Sequence, residues 1–205
     1  MVSVSPAAAL SLVPALSDEK TIEEANARLQ KMIASDEATL LGWPVLWLQS
    51  GVQSVSMTAE ECRYPTEFNP PQVSSSFVRP SAVRPAWGES VPTTFETRNL
   101  GCDLEAQGEV DADGSTISLI LAPSFVRLLG FDRFRNQTSP LGIEGEMSQP
   151  RFFRSAARNW IRVRNGRLGL LNVFVVPKPE PHVELFIVRA KATLLNGAKS
   201  TPFKK

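Results

Sequence analysis

The side chains that carry most redox and metal chemistry are nearly missing: the chain has two cysteines and one histidine in 205 residues. Cys62 and Cys102 are too few for a disulfide framework, and with no C-x-x-C or Cys/His cluster nothing supports a zinc site. Each lies in a strand-like segment and reads as a buried thiol; a single disulfide in an oxidising compartment is the lesser alternative. His182 follows prolines at 179 and 181 at the start of a strand, and no G-x-S-x-G or other nucleophile turn accompanies it. Glu67 and Glu96 offer an acid pair that nothing singles out. The chain is therefore read as non-enzymatic, with no cofactor. A surplus of one charge is missing too. There are 22 basic and 21 acidic residues, net +1, so the whole molecule has no general pull toward nucleic acid or acidic surfaces. No apolar run approaches the roughly 20 residues of a membrane helix. The apolar start, Val2 to Leu16, lacks a basic leader and is interrupted by Pro6 and Pro14, so residues 1–16 read as an N-terminal arm, any signal peptide having been removed.

What is present is a globular composition, 42% apolar and 21% charged, of a size that can bury a core. Ser17-Asp18-Glu19 reads as a helix cap with acids at the positive end. Ile22, Ala25, Leu29, Met32 and Ile33 then form one apolar stripe, so a helix is expected over roughly Asp18 to Ala34. Trp43 to Leu48 reads as a strand with Trp43, Val45 and Trp47 on one face. Ser50-Gly51 turns it into a second strand, Gln53 to Tyr64, making a hairpin. Pro65 to Pro92, rich in proline and serine, is expected to be a long loop inserted between strands.

Thr94 to Gln107 and Ser115 to Leu121 read as the next hairpin. Asp113-Gly114 is its turn, because Gly accepts the positive φ required there. Asp111-Ala112-Asp113-Gly114 resembles the start of a calcium loop, but the third acid and the closing Glu are missing, which favours the turn. Pro123 to Pro150 looks less regular, with Phe125 to Leu129 a short strand or one helical turn. Asn136-Gln137-Thr138 matches a glycosylation triplet of a kind that also occurs by chance, and a bacterial origin would empty it of meaning.

Phe152 to Val163 alternates. Arg154, Arg158, Arg162 and Arg164 share one face with Trp160; Phe153, Ile161 and Val163 share the other. Asn165-Gly166 signals a hairpin into an apolar strand, Leu168 to Val176. Pro177 to Pro181 reads as a stiff linker, Val183 to Leu195 as a last strand buried on both faces, and 197–205 as a tail. The expected fold is mainly β within an α+β class: antiparallel sheets, sandwich-like, with one N-terminal helix, in a single domain over 17–196.

Between Arg127 and Arg167 nine arginines face three acids, interleaved with Phe131, Phe134, Phe152, Phe153 and Trp160. Three readings stay open. The face is solvated, with arginine stems covering apolar surface. It contacts an acidic neighbouring subunit, for which residues 96–113 offer a partner. Or it binds single-stranded nucleic acid, which ranks last because the overall charge is neutral and no nucleic-acid motif is present.

Four blocks resemble a known family. They are Trp43 to Gly51 leading into Val55 to Glu61; Arg63-Tyr64-Pro65-Thr66-Glu67-Phe68-Asn69-Pro70-Pro71; Thr94-Phe95-Glu96-Thr97-Arg98-Asn99-Leu100-Gly101 with Asp113-Gly114 and Leu119 to Pro123; and Gln149 to Phe153 with Trp160 to Leu170. Together they resemble the secretin homology region of bacterial type II/III secretion and type IV pilus secretins, in its short divergent branch. The likeness covers about residues 40–195 and is strongest up to 123. The family's closing V-P-x-L-G signature is absent, since Val176-Pro177 leads into Lys178-Pro179, and so are the small domains that precede the region in full secretins.

The resemblance implies a structural or assembly component of the cell envelope, periplasmic or outer-membrane-associated, that has kept the sheet and lost the channel. Its implied partners are further copies of itself and pilus or secretion components. Candidate contact residues are Arg154, Arg158, Arg162, Arg164, Trp160, Tyr64 and Phe68. The rival is a ligand- or surface-binding β-sandwich module, host- or glycan-facing.

Overall fold

The first helix begins at Ser5, whose hydroxyl accepts from the Ala8 amide at 3.2 Å while Pro6 takes the first helical position, where a missing N–H is harmless. The computed structural model describes residues 1–69, 91–135, 146–176 and 180–193. In it β1 (Val2–Val4) leads into α1 (Pro6–Ser17), α2 (Ile22–Ala34) and β2 (Ala38–Leu40). The stretch expected to be an arm is thus a strand and a helix, giving two N-terminal helices. Pro14 is tolerated inside α1 because it deprives only the Leu10 carbonyl of a donor, and Leu10 is 81% exposed, within reach of water. The second helix starts later than Asp18. Asp18 instead shapes the link, its carboxylate accepting from the Lys20 amide at 2.9 Å and its carbonyl from the Ile22 amide at 2.9 Å. The expected stripe holds: Ile22, Ala25, Leu29 and Met32 are buried.

The remaining strands are β3 (Gln53–Asn69), β4 (Val91–Val110), β5 (Thr116–Arg135), β6 (Glu146–Ala156), β7 (Asn159–Arg164), β8 (Leu168–Val176) and β9 (His182–Arg189). One sheet runs β2-β1-β9-β8, antiparallel at each pair for which the register is defined. The other runs β3-β4-β5-β6, with β7 also paired to β5. The antiparallel, sandwich-like α+β fold is therefore present.

The chain divides into two compact units. The first comprises Met1–Met57, Cys102–Ser124 and Ser155–Lys205. In it both helices pack on the β2-β1-β9-β8 sheet, α1 against β8 and β9 and α2 against β2 and β8, with Leu12, Leu16, Leu29, Val4 and Leu185 in one cluster. A second cluster joins Ala106, Ile117, Leu119, Leu121 and Val163 to Leu46, Leu48 and Val188. Val183, Leu185 and Phe186 are buried, as expected of a strand with neighbours on both faces. The second unit is Thr58–Gly101 with Phe125–Arg154, where β3 to β6 form the sheet.

Several segments differ from the sequence expectation. Residues 43–48 belong to neither sheet, so the predicted first hairpin does not form; the Gln49–Val52 turn is present, with Val52 N donating to Gln49 O at 3.0 Å. The loop expected from Pro65 is strand as far as Asn69, and β3 is an outer strand, where proline is tolerated. The stretch after Pro123 is strand through Arg135, so Phe125 to Leu129 lies inside β5. Pro123 falls just past Leu121, the last partner of β7, where β5 passes from β7 to β6 and a missing donor does no harm. Phe152 to Val163 is two strands, not one.

Asn165-Gly166 turns the chain without making a hairpin, because β7 pairs with β5 and β8 with β9. Asn165 is instead tied elsewhere: its amide donates to Ser115 O at 2.8 Å and its side chain to Gly114 O at 3.0 Å. Val176 pairs with His182, which makes β8 and β9 antiparallel neighbours, and most of the Pro177 to Pro181 stretch expected to be a linker lies outside the described residues. The Asp113-Gly114 turn is as expected, with Gly114 at φ +70°. The Asn136 triplet, most of the 65–92 loop and the 197–205 tail lie outside the described residues.

Candidate interaction surface

Strand alternation places the predicted contact residues. On β7, Val163 points inward and is buried, so Trp160, Arg162 and Arg164 point outward and are exposed; Arg158 stands exposed just before the strand. Trp160 is opposite Ile120 on β5, and both are exposed, at 63% and 41%. This face belongs to the first unit.

Its arginines are paired within the chain. Arg162 reaches Asp111 at 2.8 Å, Arg158 reaches Glu105 at 3.5 Å and Arg164 reaches Glu19 at 2.7 Å. Two acids of the 96–113 segment, offered by the sequence as a neighbour's partner, are thus engaged at home. Each such exposed pair contributes about 0–1 kcal/mol, so the pairs orient the arginines more than they hold the fold. An open groove of about 510 Å³ lies beside them, with Leu16, Ile22, Glu19 and Arg164 in its lining. The Glu19–Arg164 pair neutralises both of those charges.

Tyr64, Phe68 and Arg154 belong to the second unit, on β3 and β6. Tyr64 packs on Phe152 with centroids 5.4 Å apart, and its hydroxyl donates to Glu96 at 3.1 Å. Desolvation and then this bond push the phenol above its usual range. Glu67 accepts from the Thr94 hydroxyl at 2.7 Å, so the two acids considered as a pair have separate cross-strand partners. Arg63 lies over Phe95 at 4.6 Å, Arg98 over Phe152 at 5.2 Å and Arg127 over Phe153 at 4.7 Å. Phe68 is half-buried and Arg154 exposed. The seven residues are divided between the two units.

The sequence reading missed a buried polar cluster. Glu184 is fully buried in the middle of β9 and accepts from the Ser155 hydroxyl, and His182 Nε2 lies 3.2 Å from its other oxygen. The carboxylate, not the imidazole, meets the serine hydroxyl, an order opposite to that of a hydrolase triad. The clue available was a lone acid inside the apolar run Val183-Glu184-Leu185-Phe186. Cys102 is buried and Cys62 half-buried, both free thiols. Burial pushes the Cys102 thiol up.

Among the described residues no group of three or more His, Cys, Asp or Glu side chains could hold a metal ion. No described helix is long and apolar enough to cross a membrane. Comparisons of the chain with protein-family models, with curated proteins and with solved structures return no match.

The second unit has one further property. None of its described side chains is buried; along its own lengths of β3 to β6 every described one is exposed or half-exposed. Phe95, Phe131 and Phe134 are 42%, 51% and 52% exposed.

Proposed function

We propose that this chain is a non-enzymatic structural component of a bacterial cell-envelope machine, of the secretin kind that serves type IV pili or type II secretion, and that it works through contacts between copies and with neighbouring components. The observation that carries the reading is the second unit's lack of any buried described side chain. A sheet whose described side chains are all at least half-exposed is marginal in water, and its apolar side chains stabilise it fully only when something covers them. The strands are also unusual: β4 and β5 have 20 residues each, against about 5–6 for an ordinary strand.

The sheet order leaves β3 outermost on one side and β6 on the other. Unlike edges joined head to tail generate a ring, or a filament if the rotation does not close. The described part of the first block, Arg63 to Asn69, falls on β3 and the block Thr94 to Gly101 falls on β4, which adds weight to the secretin assignment. A periplasmic or outer-membrane-associated location follows from the same assignment.

Native mass by size-exclusion chromatography with light scattering tests the proposal. A ring-sized assembly is the expected result. A monomer at every concentration, with the second unit still ordered by hydrogen exchange, would remove it. The surface-binding alternative has one observation in its favour, the exposed Trp160 beside Ile120, a flat aromatic platform suited to a sugar face. It predicts a monomer whose Trp160 fluorescence shifts with glycan.

A further inference from the structure

Residues 43–48 belong to no helix or sheet, and their side chains alternate between exposed and half-buried. Leu46 and Leu48 are packed into the second hydrophobic cluster, which holds that row of side chains inward. Trp43, Val45 and Trp47 alternate with them and are 72%, 68% and 88% exposed. Among the described residues none of the backbone N–H or C=O groups of 43–48 has a hydrogen-bond partner, whereas Leu41 and Gly42 before it donate to Met1 O and Gly51 after it donates to Gly108 O. A backbone with alternating side chains and open amides is a strand lacking its neighbour.

We propose that the missing neighbour is the same segment of a second copy, paired antiparallel about a twofold axis at Val45. Three features select this occupant. The first is charge: from Ala38 to Ala59 the chain has no Asp, Glu, Lys or Arg, 22 residues in a row. A segment meeting its own copy brings every charge against its like unless, as here, there are none. The second is self-complementarity. With Val45 opposite its counterpart, Trp43 lies opposite Trp47 and Trp47 opposite Trp43, so the outward row reads the same in both directions, as a twofold interface requires.

The third is Pro44. In a strand the N–H and C=O groups of alternate residues point to opposite edges. The edge formed by Trp43, Val45 and Trp47 therefore has all its donors. The missing N–H of Pro44 falls on the other edge, where it blocks a second partner. Val52, Val55 and Met57, exposed at 47%, 62% and 63%, belong to the same uncharged stretch. A bilayer surface is the competing occupant. Lipid would leave the open amides unpaired, which the hydrocarbon region does not tolerate.

This contact is isologous, joining like to like. The ring proposed above joins unlike edges, so the two are separable. Three proteins decide the matter by light scattering: wild type, Trp43→Lys/Trp47→Lys, and Trp43→Lys/Trp47→Glu. Both positions are largely solvent-exposed, so the circular dichroism of all three should coincide. In the proposed register the first variant sets lysine against lysine twice, and the second sets lysine against glutamate twice. The expected result is a mass halved by Lys/Lys and retained by Lys/Glu. If rings form, wild type is a double ring that Lys/Lys splits; if they do not, wild type is a dimer that Lys/Lys splits.

Equal masses for all three proteins would overturn the proposal, as would loss in both variants alike, which would mean a face without this register. Flotation with phosphatidylcholine vesicles completes the test. Binding by wild type that Lys/Lys abolishes, with mass unchanged, would assign the row to a bilayer.

Discussion

The two units of this chain are built from similar residues and handle water in opposite ways. In the first, two helices and the inward row of the β2-β1-β9-β8 sheet enclose Leu12, Leu16, Leu29 and Leu185, each at most 1% exposed. In the second, the same kinds of side chain stand on lengths of β3 to β6 along which no described residue is buried. Strands β3, β4 and β5 contribute to both units, so the difference does not lie in backbone conformation or strand propensity. It lies in what covers the sheet. Alternation decides which side chains share a face, and only a second layer makes that face a core.

The sharpest break of this comparison is a matched pair of truncations. Leu185→Ala removes a fully buried side chain and should cost about 2–5 kcal/mol. Phe131→Ala, in the second unit, should change the stability of the unassembled chain by no more than about 0.5 kcal/mol. Urea unfolding of both variants reads the contrast, and equal costs would mean that Phe131 is covered after all.

Gly101→Ala probes the second unit's own backbone. Gly101 has φ +133°, and a Cβ there would run into the Thr58 carbonyl oxygen of the adjoining strand. The strain should cost about 1–3 kcal/mol. It should appear as faster hydrogen exchange over 58–69 and 91–101, with the amides of β8 and β9 still protected.

The two thiols should report the difference without a mutation. Cys62 is half-buried in the second unit; Cys102 is buried in the first, its thiol raised by that burial. A thiol reagent should modify Cys62 in the native protein and Cys102 only on unfolding, by mass spectrometry of the peptides. Assembly through the second unit should then slow Cys62 alone.

The smallest effect concerns acid. Hydrogen bonds from the Ser115 amide and hydroxyl hold the Asp113 carboxyl below its usual range. A carboxylate lowered in the folded state contributes stability that is complete above the unfolded value of about 4 and fades as the pH falls through the folded one. Asp113→Asn should therefore flatten the acid limb of the unfolding curve below about pH 4. The change should be confined to the β4–β5 turn, leaving the second unit untouched.

Local grammar was legible wherever the information was local. The Ile22 to Met32 stripe, the Asp113-Gly114 turn, the alternation of Trp160 to Arg164 and the doubly buried middle of β9 all follow from side-chain period and glycine. Four of the differences share one pattern. Proline was read as an end of structure at Pro6, Pro14, Pro65 and Pro123. In the fold each stands where its missing N–H is not needed: a helix start, an exposed helix face, an outer strand and a change of strand partner. Asn165-Gly166 was read as a hairpin because the turn is local and the choice of partner is not. Of the contact residues, the exposure of Trp160 and the four arginines could be read from alternation. That Arg158, Arg162 and Arg164 find acids within their own chain could not, since Glu105, Asp111 and Glu19 are distant in sequence.

By itself, then, the sequence determined the elements that depend on neighbours within a few residues: the α2 stripe, the strand periods, the turns, and the near balance of charge. Tertiary structure alone decided that 43–48 lies outside both sheets, that Glu184 is buried with Ser155 and His182, and that one length of the long strands is covered while the other is not. The reason is physical. Period and propensity act between residues a few positions apart, whereas burial is a property of which distant segments arrive on the other side of a sheet.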